Sequence, residues 1–249
     1  MSGNEFADRL LEQILAQGAE IELENVVSVE DLGTHRVVRT EEGSTYEGRA
    51  VVLATGVVHR MLGLPGEAEL VGEGISFCAV CDGDFYAGKD VCVAGGGNSA
   101  LQEALLLSDI CASVTVLQDL LSLTGEQKLR DALAARSNVR VRCGVSIEAL
   151  VRRDGALKGV TLRDRMTGEA SEVPCDGLFV AIGLIPQNDA FSGIAQLDER
   201  GYFAADEHCR TRTPGVYVAG DCRAKSVRQL ATAIADGACA AMAACRDLD

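Results

Sequence analysis

The chain has 249 residues, 47% of them apolar but only 4% aromatic, so Ala, Val, Leu, Ile and Gly carry the packing. That length suits one large or two ordinary domains with a real core. The formal charge of −14, from 23 basic and 37 acidic side chains, disfavours nucleic acid or an anionic membrane surface as partner. The first residues lack the basic-then-apolar layout of a secretory signal, and no apolar run approaches the ~20 residues needed to span a bilayer. The reading is a cytoplasmic protein whose partners are small molecules or other soluble proteins. Most of its ten cysteines stand singly in apolar runs, as Cys92, Cys239 and Cys245 do, and read as small buried hydrophobes.

Residues 4–17 predict an amphipathic helix, with Asn4 as N-cap, Phe6, Leu10 and Ile14 on one face, and Gly18 ending it. Short strands follow at 20–24, 26–31, 35–40 and 45–47, a meander with one wet face. Residues 49–56 then form a near-continuous apolar strand of the kind buried on both faces. From residue 89 the pattern changes: strands at 89–95, 113–118 and 138–143 alternate with helices at 98–110 and 124–137. Such a βαβαβ unit implies a parallel sheet. Residues 146–175 revert to hairpins, 176–183 form a second buried strand, 216–220 a last strand and 226–245 a long Ala-rich helix. A meander followed by a buried strand ending in Gly thus occurs twice, at 20–56 and 146–183, which predicts two related nucleotide-binding domains.

Gly95-Gly96-Gly97-Asn98-Ser99-Ala100 joins a predicted strand to a predicted helix and fits G-x-G-x-x-A. The first glycine permits the sharp turn, and the second lets a pyrophosphate approach the backbone. Ala100 allows close helix–strand packing, while the helix N-terminus presents amides to the phosphates. Asp119 lies 24 residues after Gly95, near the spacing at which an acidic residue binds a free ribose 2′-hydroxyl. No Arg or Lys stands between Leu117 and Lys128, which favours NADH over NADPH. The alternative is that Asp119 only caps the following turn.

Cys78-Ala79-Val80-Cys81-Asp82 can be read as a zinc half-site, a structural disulfide or a redox dithiol. Zinc needs about four ligands, yet there is no second Cys-x-x-Cys and the three histidines are scattered, so no metal is expected. A structural disulfide would close a tiny loop in a reducing compartment. The redox reading is favoured: one thiolate attacks a substrate disulfide and the other resolves the mixed disulfide. Asp82 is placed to shuttle a proton to the leaving thiolate, or else caps a turn.

Ala54-Thr55-Gly56, Cys78–Gly83, Val93–Ala100, Ala181–Pro186 and Val216–Asp221 followed by Arg228-Gln229 run in one order across nearly the whole chain. In this they closely resemble the low-molecular-weight thioredoxin reductase family of pyridine nucleotide–disulfide oxidoreductases. The resemblance implies an α/β protein with two Rossmann-like domains of three-layer sandwich character and β-meander crossovers. Residues 1–76 plus 198–249 would bind FAD, and 77–197 would bind NAD(P)H and carry the Cys-x-x-Cys. Cys81 would face the flavin, Cys78 would engage a thioredoxin-like or other disulfide-containing protein, and Asp82 would be the acid. Thr55, Gly56, Gly220, Asp221, Arg228 and Gln229 would contact FAD, and the protein would be a homodimer.

Two departures are visible. The family opens with a βαβ unit carrying its own Gly-rich loop for FAD, and this sequence has no counterpart to it. The FAD domain is therefore expected to be incomplete and marginal, and to bind FAD weakly or not at all. The basic NADPH pattern of the family is replaced at Gln118, Asp119, Leu120 and Thr124. The alternatives are an NADH- or ferredoxin-dependent reductase of a peroxiredoxin- or thioredoxin-like protein, and an inactive remnant.

Overall fold

A computed structural model describes residues 3–248. Helix α1 (Gly3–Ala16) is followed by an antiparallel meander, β1 (Val26–Asp31), β2 (Arg36–Thr40) and β3 (Thr45–Gly48), and then by β4 (Val51–Leu53). Strand β5 (Val57–His59) leads on to α2 (Glu67–Leu70), β6 (Ile75–Ser76) and α3 (Ala79–Asp82). The βαβαβ unit comprises β7 (Asp90–Ala94), α4 (Asn98–Ser108), β8 (Ser113–Gln118), α5 (Gln127–Ala134) and β9 (Val139–Cys143). A second meander, β10 (Val145–Arg153), β11 (Ala156–Asp164) and β12 (Ala170–Pro174), precedes β13 (Gly177–Val180) and β14 (Leu184–Pro186). The chain ends with β15 (Val216–Val218) and α6 (Leu230–Leu248).

The chain divides into two compact units, Met1–Val57 with Pro186–Asp249, and Val58–Ile185. In the second, five parallel strands lie in the order β6-β13-β7-β8-β9. Side chains alternate across such a sheet. Val91 and Val93 join Leu101, Leu107 and Phe179 in a core under α4, while Cys92 and Ala94 join Leu157, Val160 and Leu162 under the meander. That is the expected three-layer sandwich. In the first unit β4 and β15 pair in parallel. Val216 and Val218 pack with Leu53 and Phe203, while Tyr217 packs with Ala240, Ala243 and Ala244 of α6. A meander followed by a parallel strand recurs in both units, but only β13 is buried throughout; β4 spans three residues, with Leu53 buried and Val52 42% exposed, so the strand expected at 49–56 is not covered on both faces.

The boundaries differ from the expected 1–76 and 198–249. Residues 58–76 belong with the second unit because Leu70 and Ile75 enter its core and β6 pairs with β13. The buried Glu67 carboxylate accepts the backbone amides of Leu62, Gly63 and Leu64, fixing this segment further. Residues 186–197 change sides in the other direction, since Phe191, Ile194 and Ala195 pack against Val216 and Val218.

Other expectations fail locally. Residues 20–24 form no strand: Leu23 is 94% exposed, and Glu24 instead accepts the Ser44 and Tyr46 hydroxyls. The helix expected from 124 starts at Gln127, because the Thr124 and Gly125 amides donate to Gly96 O at 2.8 and 2.9 Å. The helix expected from 226 starts at Leu230, the preceding residues being folded around Arg228, which donates to the carbonyls of Asp221 and Arg223. Cys92 is buried as expected, but Cys239 and Cys245 are exposed, since α6 turns its alanine stripe inward. The α1 face bearing Leu10 and Ile14 is exposed, and the cap assigned to Asn4 rests on a side chain outside those described.

Helix α4 also carries Glu103, whose Oε2 is buried without a hydrogen-bond partner. Burial pushes this carboxyl from 4.5 up to about 7. A raised folded-state value means stability is fully present below the unfolded value and is lost as pH rises through the folded one. Glu103→Gln is therefore expected to stabilise the protein by up to about 3 kcal/mol near pH ~8 and by nothing near pH ~4. Thermal melts at the two pH values test this, and an equal gain at both would contradict it.

Candidate functional site

The redox pair sits where β6 ends. Ser76 Oγ accepts the Cys78 amide at 3.1 Å and donates to Asp82 Oδ2 at 2.7 Å, so one hydroxyl ties the start of the motif to its acidic end. The Cys81 and Asp82 amides close the turn on Cys78 O at 3.1 and 3.0 Å. This brings the two Cα atoms to 5.3 Å, and Cys78 and Cys81 are disulfide-bonded. The Cys81 amide also donates to Cys78 Sγ at 3.2 Å, a contact that favours a thiolate there once the bond opens. Cys81 is exposed, Cys78 and Asp82 half-buried. No group of three or more His, Cys, Asp or Glu among the described residues could hold a metal.

The glycine loop follows β7 on the same sheet. Gly95 has φ +126°, and a Cβ there would lie 2.5 Å from Ala181 O, so both conformation and space demand glycine. A Cβ on Gly96 would meet the buried Gln118 side chain at 2.5 Å. Gly97 precedes the first turn of α4, and Ala100 is fully buried beneath the loop. Above it opens a cavity of about 640 Å³, lined by Gly95, Gly97, Asn98, Ser99 and Asp119 among others. A recess of that size with a backbone cradle at a helix start fits a dinucleotide. The sequence reading missed Arg60, Ser146 and Gly183, which also line it. Only Gly183, inside the Ala181–Pro186 motif, carried a signal.

In the first unit, Thr55-Gly56 follows β4 and Gly220-Asp221 follows β15, so parallel pairing sets them side by side. Thr55 Oγ1 donates to Asn188 Oδ1 at 2.7 Å, and the fully buried Asn188 in turn donates to Gly201 O and Cys222 O. The Arg228 guanidinium lies 4.0 Å over the Tyr202 ring. Gln229 is exposed at the start of α6. Asp236 accepts Arg223 at 2.8 Å, Lys225 at 3.0 Å and the Gly220 amide at 3.2 Å. Burial pushes its carboxyl up, but the Arg223 and Lys225 bonds outweigh this and hold it below the ordinary value. Asp221 Oδ1 is buried, with Lys225 Nζ at 3.2 Å but no aligned hydrogen-bond donor. A buried carboxylate oxygen with spare accepting capacity beside a positive-φ glycine suits a hydroxyl-bearing ligand such as the ribityl chain of FAD. Asn188, Arg223, Lys225 and Asp236 were not singled out from sequence.

The pyridine nucleotide-disulphide oxidoreductase family model matches residues 3–237. A thioredoxin reductase of Treponema pallidum is 38% identical over 249 residues, covering 100% of this chain and 80% of the relative. One from Bacillus subtilis is 35% identical, covering 96% and 75%. The crystal structure of thioredoxin reductase from Streptococcus pyogenes superposes with TM-score 0.90 at 32% identity, covering 100% of this chain and 81% of the other.

Gly95→Ala is expected to weaken dinucleotide binding by at least about tenfold, since the added Cβ drives the loop away from Ala181 O. Titration with NADH and NADPH measures this, and unchanged affinity for both would refute the cradle.

Proposed function

Since this chain belongs to the low-molecular-weight thioredoxin reductase branch of the pyridine nucleotide-disulphide oxidoreductases, we propose that Cys78 and Cys81 relay two electrons from NAD(P)H and FAD to a thioredoxin-like protein. It is an oxidoreductase acting on a sulfur group. The observation that carries this reading is the Cys78–Cys81 bond, appended to the same parallel sheet as the glycine loop.

Bound FAD would supply the two electrons that open the Cys78–Cys81 bond. Cys78 Sγ then attacks the partner disulfide, forming a mixed disulfide and releasing one partner sulfur as a thiolate. Cys81 Sγ attacks Cys78 Sγ, which restores the internal bond and releases the second partner sulfur. Asp82, positioned by Ser76, holds a proton for the leaving thiolate. Thr55, Gly56, Gly220, Asp221, Arg228 and Gln229 contact FAD in this reading. Gly95, Gly97, Asn98, Ser99 and Ala100 form the nicotinamide-cofactor cradle, with Asp119 toward the ribose. Burial of Gln118 and the acidic charge of Asp119 support NADH over NADPH.

A homodimer and a cytoplasmic location complete the reading. The exposed leucines of α1 support the first. Eight free cysteines support a reducing compartment. Among the described residues no helix is long and apolar enough to cross a membrane.

Cys81→Ser is expected to accumulate a mixed disulfide with oxidised thioredoxin through Cys78, visible on non-reducing gels, whereas Cys78→Ser is not. Asp82→Asn should slow turnover by roughly 10²–10⁴-fold. An adduct formed by Cys78→Ser and not by Cys81→Ser would reverse their assigned roles; none from either, with full activity retained, would end the dithiol reading.

A further inference from the structure

The segment leaving β8 shows no basic residue in sequence, but the fold brings one to it. Arg165, in the turn between β11 and β12, donates from Nη1 to Asp119 O at 3.2 Å and pairs with Asp119 Oδ2 at 3.5 Å. Its position is fixed from two sides. The Arg165 amide donates to Gly144 O at 2.8 Å, and the Gly144 amide donates to Leu120 O at 2.7 Å. The hairpin turn, the end of β9 and the segment after β8 are thus tied together by backbone. Asp119 lines the cavity over the glycine loop, and the other charged residue lining it is Arg60. Gln118 also lines the cavity, but its uncharged side chain is packed against Gly96, with Oε1 accepting the Asp119 amide.

We infer that Asp119 and Arg165 act as one selector of the nicotinamide cofactor, with Asp119 accepting the ribose 2′-hydroxyl and also occupying a guanidinium that would otherwise bind a 2′-phosphate. The inference rests on the reading of this cavity as the nicotinamide-cofactor site. Oδ2 faces Arg165, which leaves Oδ1 to accept a hydroxyl proton. A 2′-phosphate in its place meets the carboxylate's like charge, while the arginine is engaged. Both side chains are more than half exposed, at 61% and 53%, so their mutual bond is weak and gives way readily. Removing the carboxylate frees a planar, permanently charged donor suited to phosphate, without needing a new residue.

The full chain is titrated with NADH and with NADPH, following nucleotide fluorescence, as wild type, Asp119→Ser, Arg165→Met and the double variant. Wild type is expected to bind NADH more tightly. Asp119→Ser is expected to tighten NADPH by about tenfold and weaken NADH, while Arg165→Met keeps the NADH preference and weakens NADPH further. In the double variant the NADPH gain disappears. A gain as large in the double variant as in Asp119→Ser would overturn the role of Arg165, as would wild type binding NADPH the more tightly. If no protein of the four binds either nucleotide, the reading of the cavity itself fails, and the selector with it.

Discussion

Parallel pairing of β6, β13, β7, β8 and β9 brings five strands to end on one edge of one sheet, and every reactive feature of that unit hangs from this edge. Cys78 follows β6, Gly95 follows β7, Asp119 follows β8, Gly144 follows β9 and Ala181 follows β13. Ligands gather at such an edge because the strand ends open outward there while helices start with free amides. The same rule operates in the smaller β4–β15 pair, which sets Thr55-Gly56 beside Gly220-Asp221. Without parallel alignment, a disulfide and a glycine loop some seventeen residues apart (Cys78 to Gly95) would have no reason to share a side.

The sheet can hold this alignment because both its faces are covered. Alternation along β7 sends Val91 and Val93 to the helices and Cys92 and Ala94 to the meander. Each fully buried Val or Leu contributes roughly 1.5–3 kcal/mol, so the register is fixed by the sum of many such contacts. Against that background the site spends stability locally. Gly95 occupies a conformation rare for other residues.

The first unit relies more on charge. Asp236, Arg223 and Lys225 form a compact ion network whose side chains are 11%, 16% and 10% exposed. Losing one partner from such a buried group is typically worth about 3–5 kcal/mol, because the remaining charge is stranded. The network also receives the Gly220 amide, so the turn bearing Asp221 is positioned electrostatically as well as by the strand. Asn188 does comparable work by joining Thr55 to the carbonyls of Gly201 and Cys222.

Short-range chemistry was legible in the residues themselves. The Cys78–Cys81 spacing, the glycine loop between strand and helix, and the twice-repeated meander depend on neighbours within a few positions, where periodicity and turn propensity act. What lay beyond reading was whatever depends on contacts distant in sequence. Residues 58–76 join the second unit because Ile75 and Leu70 find a core built by β10 and β11, far along the chain. Residues 20–24 alternate like a strand yet have no strand beside them. Arg165 reaches Asp119 across 46 positions, a pairing set by backbone bonds through Gly144 rather than by any motif. Sequence alone determined which groups could react; the tertiary structure decided which of them meet, because long-range packing and hydrogen bonds have no local signature.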